Sequence, residues 1–178
     1  MNSQAVAVLF ARADSSYKAL PGVDVWDAQR DARKWPGGVP GVYHPPCRAW
    51  GQYKHRAKPR PDEKDLARWA VSMVRRFGGV IEHPYASELW SEYGMQNFGI
   101  RDGYGGVLFP VYQSWWGHRA PKKTCLYLVG GAVPDLSEFE GQALPLGRVE
   151  MMGRNEREAT PPRFAEWLVG LARSCQVA

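Results

Sequence analysis

The sequence predicts an α/β protein with a mainly parallel sheet, and three observations predict it. Short apolar runs of strand character alternate with segments of helical periodicity. The first run, residues 5–10 (AVAVLF), is apolar at every position, as a strand covered on both faces must be. Polar residues close or follow several runs, as at Asp27, Cys47 and Glu82. Open parallel sheets bind ligands beyond the carboxyl ends of their strands, which is where such residues fall.

After the first strand, residues 23–26 (VDVW) form a second, ending at Asp27. Residues 39–43 (VPGVY) form a third, interrupted by Pro40, and run into His44-Pro45-Pro46-Cys47. Residues 52–61 (QYKHRAKPRP) are basic and proline-punctuated, hence a loop. Asp62 then caps the clearest helix. Leu66, Trp69, Ala70, Met73, Val74 and Phe77 recur at helical spacing, and Gly78-Gly79 stops it. Arg75 and Arg76 suit its negative C-terminal end. Residues 79–82 (GVIE) make a fourth strand reaching His83-Pro84. Residues 107–111 and 125–129 make two more, expected as an antiparallel hairpin at one edge. Residues of about 134–158 are rich in Gly, Pro and Glu and read as irregular. Thr160 caps a last helix with Pro161 at its first position and an apolar stripe of Phe164, Trp167, Leu168 and Leu171.

The chain has 178 residues and a formal net charge of +5. That length suits one domain over residues 1–178 that can bury a core without disulfide or metal. Apolar residues at 44% and charged residues at 23% exclude a wholly disordered chain. No run approaches the ~20 apolar residues of a membrane span, so no membrane partner is expected. The N-terminal MNSQAVAVLFARAD has no basic region ahead of its apolar run and is read as strand, not leader. Three scattered cysteines, Cys47, Cys125 and Cys175, support neither a zinc ribbon nor a disulfide framework. A reducing cytoplasm and no metal are the expectation. Eight Trp and eight Tyr with excess positive charge suit either a core or stacked bases.

Three segments carry candidate chemistry: HPPCRAWG (44–51), GGVIEHP (78–84) and QSWWGHRAPKKTCLYLVG (113–130). Cys47 follows two prolines that stiffen its backbone, and Arg48 is positioned to favour its thiolate. A thiolate on a stiff strand-end loop is a nucleophile; the plainer alternative is a buried structural cysteine. Glu82 at a strand end would have a raised pKa in a dry pocket and serve as acid or hydrogen-bond donor; its plainer role is an ion pair. His44 and His83 precede prolines at matching strand ends and suggest a shared polar site. The loop holding Lys54, Arg56, Lys58 and Arg60, with Trp50 and Tyr53, would suit a phosphate backbone and stacked bases, or simply be solvated.

At these residues the chain resembles the DNA cytosine-C5 methyltransferases. PPC (45–47) is similar to the family's Pro-Cys nucleophile motif, and Glu82 to the Glu of its Glu-Asn-Val motif, with His83 and Pro84 in place of Asn and Val. Gln113, Gly117, His118, Lys122, Lys123 and Thr124 resemble a later segment near the bound base and its backbone, and TPPRFAEWL resembles the closing helix. The chain is also similar to small phage and prophage proteins carrying these motifs, which implies a bacterial host cytoplasm. The resemblance implies a reduced, Rossmann-like methyltransferase-type sheet. It implies attack by Cys47 on C6 of a DNA pyrimidine, with Glu82 at N3. Around the base it implies His44, Arg48, His83, His118, Lys122, Lys123 and Thr124. It also implies S-adenosylmethionine as methyl donor, with Asp27 on the cofactor ribose. The first strand here, however, runs into ARADSSYKALPG without the family's glycine-rich turn. The length leaves no room for a target-recognition domain, so a partner protein would supply recognition.

Two other functions fit the same residues. One is a methyltransferase-like module that binds DNA or protein without chemistry. The other is a C5 transferase on free pyrimidine nucleotides, which also uses a Pro-Cys nucleophile with basic phosphate ligands.

Overall fold

A computed structural model describes residues 4–176; residues 1–3, the start of the N-terminal stretch read above, lie outside the described residues, as do 177–178. Six strands are present: β1 (Val6–Ala11), β2 (Val23–Asp27), β3 (Gly41–Tyr43), β4 (Gly79–Pro84), β5 (Val107–Tyr112) and β6 (Lys123–Val129). The helices are α1 (Glu63–Phe77), α2 (Glu88–Glu92), α3 (Arg154–Glu158) and α4 (Pro162–Arg173). The strands form one mixed sheet in the order β2-β1-β3-β4-β6-β5. β2, β1, β3 and β4 run parallel, and β6 is antiparallel to both its neighbours. The expected hairpin is therefore present, but β6 sits inside the sheet and β5 forms the edge. Pro110 explains that placement: it cannot donate to a ladder on both sides, so its strand belongs at an edge.

Strand alternation builds two cores. Val8, Val42, Val80 and Leu126 face α4, where Phe164 and Leu168 are fully buried. Leu9, Tyr43, Ile81 and Tyr127 face α1 and its Ala70 and Val74. The α1 stripe is centred slightly away from the expected one. Ala67 and Val71 are buried with Leu66, Ala70 and Val74, while the bulky Trp69, Met73 and Phe77 pack at its margin.

Other departures have local causes. β3 starts after Pro40, which has no N–H and contributes only its carbonyl, to the Ala7 N–H at 3.1 Å. β4 runs two residues past Glu82 because His83 and Pro84 lie opposite Cys125 and Thr124. α4 starts one residue later than expected. Pro161 is its cap and Pro162 its first residue, because the Ala165 N–H bonds back to the Pro161 carbonyl at 2.9 Å. α2 and α3 were not expected: α3 lies inside the segment of about 134–158 read as irregular, and the Ser87 hydroxyl caps α2 by accepting the Leu89 N–H at 3.1 Å. Gly79 sits against Gly41 on β3 with φ +113°, and a Cβ there would lie 2.0 Å from the Gly41 carbonyl oxygen.

Candidate active site at the carboxyl ends of the parallel strands

The chain goes from β1 to β2 on one side and returns to β3 on the other. In open α/β sheets ligands bind at such a reversal, beyond the carboxyl ends of the strands. Here the His44 N–H reaches from the end of β3 to the Leu9 carbonyl of β1 at 3.0 Å. Four polar residues converge here through the two-residue strand repeat. His44 lies two residues past Val42, Glu82 two past Val80, and Gln113 two past Val111; Thr124 lies two before Leu126. All four therefore project on the α4 side of the sheet.

Glu82 is the hub. His44 Nδ1 lies 3.0 Å from Glu82 Oε2, and Gln113 Nε2 donates to Oε1 at 3.1 Å. The Thr124 hydroxyl contacts Oε1 and also lies 2.8 Å from the His83 carbonyl. Tyr17 Oη lies 2.8 Å from His44 Nε2. Burial raises the Tyr17 pKa well above its ordinary value, helped by the Glu82 charge, so the phenol keeps its proton. Nδ1–H donates to the Glu82 carboxylate, and the Tyr17 hydroxyl fixes the other edge of the ring at Nε2.

Glu82 differs from the expectation of a raised pKa. Burial does push upward, but the His44 hydrogen bond, the charges of His44 and Lys122, and the Thr124 hydroxyl outweigh it and hold the pKa at about 2. The carboxylate is ionised at neutral pH and accepts hydrogen bonds; it is not a proton donor. An ionised carboxylate fixes Gln113 with its amide nitrogen inward, leaving Gln113 Oε1 as an acceptor. That oxygen is buried and has no partner among the described residues.

Cys47 stands on the Pro-Pro loop after β3. Its carbonyl closes the following turn by accepting the Trp50 and Gly51 N–H groups at 3.0 and 2.9 Å. The residue is exposed, yet the protein around the sulfur and the negative Glu82 push its thiol pKa up, while Lys122 pulls it down. Arg48 does not supply the expected activation: its guanidinium pairs with the buried Glu63 at the start of α1. Lys122 lowers the pKa of both Cys47 and Glu82 through its charge. Its ammonium donates to the Ala159 carbonyl at 3.0 Å, and burial lowers its pKa.

The other expected residues disperse. His83 follows Glu82 on the strand and so points to the opposite, α1 side. It is buried against Trp90, with Nδ1 2.8 Å from the Ser87 hydroxyl and its pKa lowered by burial to about 4. This corrects the expectation of one site shared with His44. His118 is buried in its own loop, with Nδ1 2.8 Å from the Ala120 carbonyl. Lys123 also lies across the sheet from Lys122, over the Tyr85 ring. In the basic loop, Lys54 pairs with Glu88 at 2.5 Å and Arg60 with Asp62 at 3.4 Å. No ion pair engages Arg56 or Lys58 among the described residues, and both are exposed.

Asp27 does not fit the role of ribose acceptor. Lys18 occupies one carboxylate oxygen at 2.8 Å, and the Gln29 and Arg30 N–H groups occupy the other at 3.0 and 3.3 Å. The end of β1 holds Phe10 at φ +63°, packed on Trp69, where the resemblance implies a glycine turn. These residues do not form a S-adenosylmethionine cradle of the implied kind. No group of three His, Cys, Asp or Glu suited to a metal occurs among the described residues. No helix there is long and apolar enough to cross a membrane.

Tyr17 escaped the sequence reading because nothing near it in sequence marks it as a partner of His44, 27 residues away. Gln113, expected near the base from the resemblance, is in the site, where its place two residues beyond Val111 puts it on Glu82. Compared with protein-family models, curated proteins and solved structures, the chain matches none.

Proposed function

We propose that the protein modifies a pyrimidine base of DNA, with Cys47 as the nucleophile that adds to C6. The observation that carries this reading is the placement of Cys47 after β3, Glu82 near the end of β4 and Lys122 just before β6, all at the carboxyl end of the parallel strands. In the classic α/β order 3-2-1-4-5-6, ligands bind at that point. The strand order here corresponds to that arrangement without its outermost strand and with one reversed strand before the last. This supports the reduced methyltransferase-type sheet that the resemblance implies.

Deprotonated Cys47 bonds to C6, and the ring's electron pair moves toward C5, which becomes nucleophilic. Lys122 provides the positive charge near the thiolate. Ionised Glu82 and the unpartnered Gln113 Oε1 are acceptors, matched to the exocyclic amino group of cytosine rather than to the carbonyl of thymine or uracil. His44 is a positioning residue for Glu82, anchored by Tyr17. The thiol proton goes to solvent, and C5 takes a proton from water, so the adduct reverses by loss of that proton and expulsion of Cys47. Substitution at C5 would need an electrophilic group donor, followed by the same proton loss and the same expulsion of Cys47. The occupied Asp27 favours a second reading, a DNA-binding module without chemistry.

Nucleoside mass spectrometry of DNA from cells expressing the wild type or Cys47→Ala separates the two. The proposal expects an altered pyrimidine with the wild type alone, and its mass names the added group. Identical nucleosides from both strains, with DNA binding retained, favour the module.

A further inference from the structure

We infer that the protein takes its DNA as an unpaired strand, held on an aromatic and cationic platform on the sheet face opposite Glu82. The inference rests on the reading above for the identity of the nucleic acid. The platform itself is independent of Cys47.

Tyr85 and Phe98 are 38% and 44% exposed, and their rings stack on each other with centroids 5.8 Å apart and 26° between planes. Lys123 Nζ lies 3.8 Å from the Tyr85 ring centroid and 5.6 Å from that of Tyr112. Such a surface offers π-faces for bases and a cation for phosphate side by side.

Its place in the fold ties it to the candidate site. Tyr85 is three residues beyond Glu82, about 10 Å along the strand direction. Its N–H reaches the Lys123 carbonyl at 3.4 Å. Lys122 and Lys123 are consecutive and diverge, one toward Cys47 and Glu82, the other onto the platform. Three residues beyond Tyr85, Glu88 pairs with Lys54, beside which Arg56 lies over the Tyr53 ring. A strand crossing the platform would stack a base on Tyr85 and Phe98 while its neighbour turns over the edge toward Cys47. A duplex cannot use the platform, because its base faces are already stacked on one another. The unpaired strand is therefore the matching occupant.

The test is fluorescence anisotropy with a labelled 12-nucleotide pyrimidine DNA strand, the duplex of that sequence, and the RNA equivalent. Each probe is titrated with the wild type, Tyr85→Ala/Phe98→Ala, Tyr85→Phe and Lys123→Gln. The single DNA strand should bind more tightly than the duplex and at least as tightly as the RNA. The double variant should weaken it five- to a hundredfold, the range for losing a stacked base, while Tyr85→Phe keeps near-wild-type affinity. Lys123→Gln should reduce the slope of log K against log salt by about 0.7, one phosphate contact on a single strand. Equal affinity for strand and duplex, or a double variant that binds like the wild type, overturns the inference. Tighter binding of RNA overturns DNA as the occupant. All three variants carry changes at exposed positions, and unchanged thermal melting checks that they fold. Repeating the titration with Cys47→Ala distinguishes the two claims. Ring-dependent strand binding with no pyrimidine chemistry keeps the platform and removes the proposed reaction; Cys47-dependent chemistry with no ring dependence does the reverse.

Discussion

Glu82 shows how environment sets a residue's chemistry. Its position at the end of an apolar strand suggests a protonated acid, but four neighbours supply donors and positive charge, and the carboxylate is held ionised with a pKa of about 2. A depressed folded-state pKa stabilises the protein above the ordinary carboxyl value and loses that contribution as pH falls toward 2. The window is therefore about pH 4.5 down to about 2, and the contribution is on the order of 3 kcal/mol. Urea unfolding at pH 7 and pH 3 checks it: Glu82→Gln should be less stable than wild type at pH 7, with the gap narrowing at pH 3. A gap that stays constant would mean Glu82 does not titrate this way. The Cys47 thiol gives a second residue-scale prediction. With its pKa raised by its surroundings and by Glu82, alkylation near pH 8 should be slower than for free cysteine. Glu82→Gln should speed it and Lys122→Gln slow it. The opposite order in a pH series of labelling rates would contradict the electrostatics described.

At the scale of elements, the strands and α1 were legible because apolar runs and helical spacing act locally. What was not legible depended on partners distant in sequence. That β6 lies inside the sheet is set by pairing with both β4 and β5, and only Pro110 hinted which strand takes the edge. His44 and His83 look equivalent as His-Pro dipeptides, yet strand parity sends His44 to one side of the sheet and His83 to the other. Counting from Val42 and Val80 would have separated them. The Arg48 charge looked available to Cys47 until α1 brought Glu63 beside it. Between β3 and β4, Gly79 lies against Gly41 with no room for a Cβ. Gly79→Ala would drive a Cβ into a backbone carbonyl, at a left-handed φ that disfavours alanine. Thermal melting should show a loss of at least about 3 kcal/mol or no folded protein. On the other face, Phe164→Ala should cost about 3–5 kcal/mol by emptying the α4 core. A Gly79→Ala variant that melts like the wild type would contradict the β3–β4 packing.

For the whole molecule, the carboxyl ends of the parallel strands gather the reactive groups. The opposite end has clefts around Arg75, Asp102 and Tyr127, but their polar groups are already engaged. Tyr127 Oη donates to Asp102 at 2.6 Å, and Arg75 reaches both at 3.2 Å. The central claim is therefore that Cys47, at the reactive end, forms a bond to a pyrimidine. It is tested most directly by incubating the protein with a single-stranded oligonucleotide containing 5-azacytosine, whose ring nitrogen makes C6 more electrophilic. Denaturing electrophoresis and peptide mass spectrometry then follow. The account predicts a complex that survives denaturation, carries the oligonucleotide on the peptide containing Cys47, and is lost in Cys47→Ala. A wild-type protein that binds the oligonucleotide without forming that bond, or a bond that persists in Cys47→Ala, would contradict it.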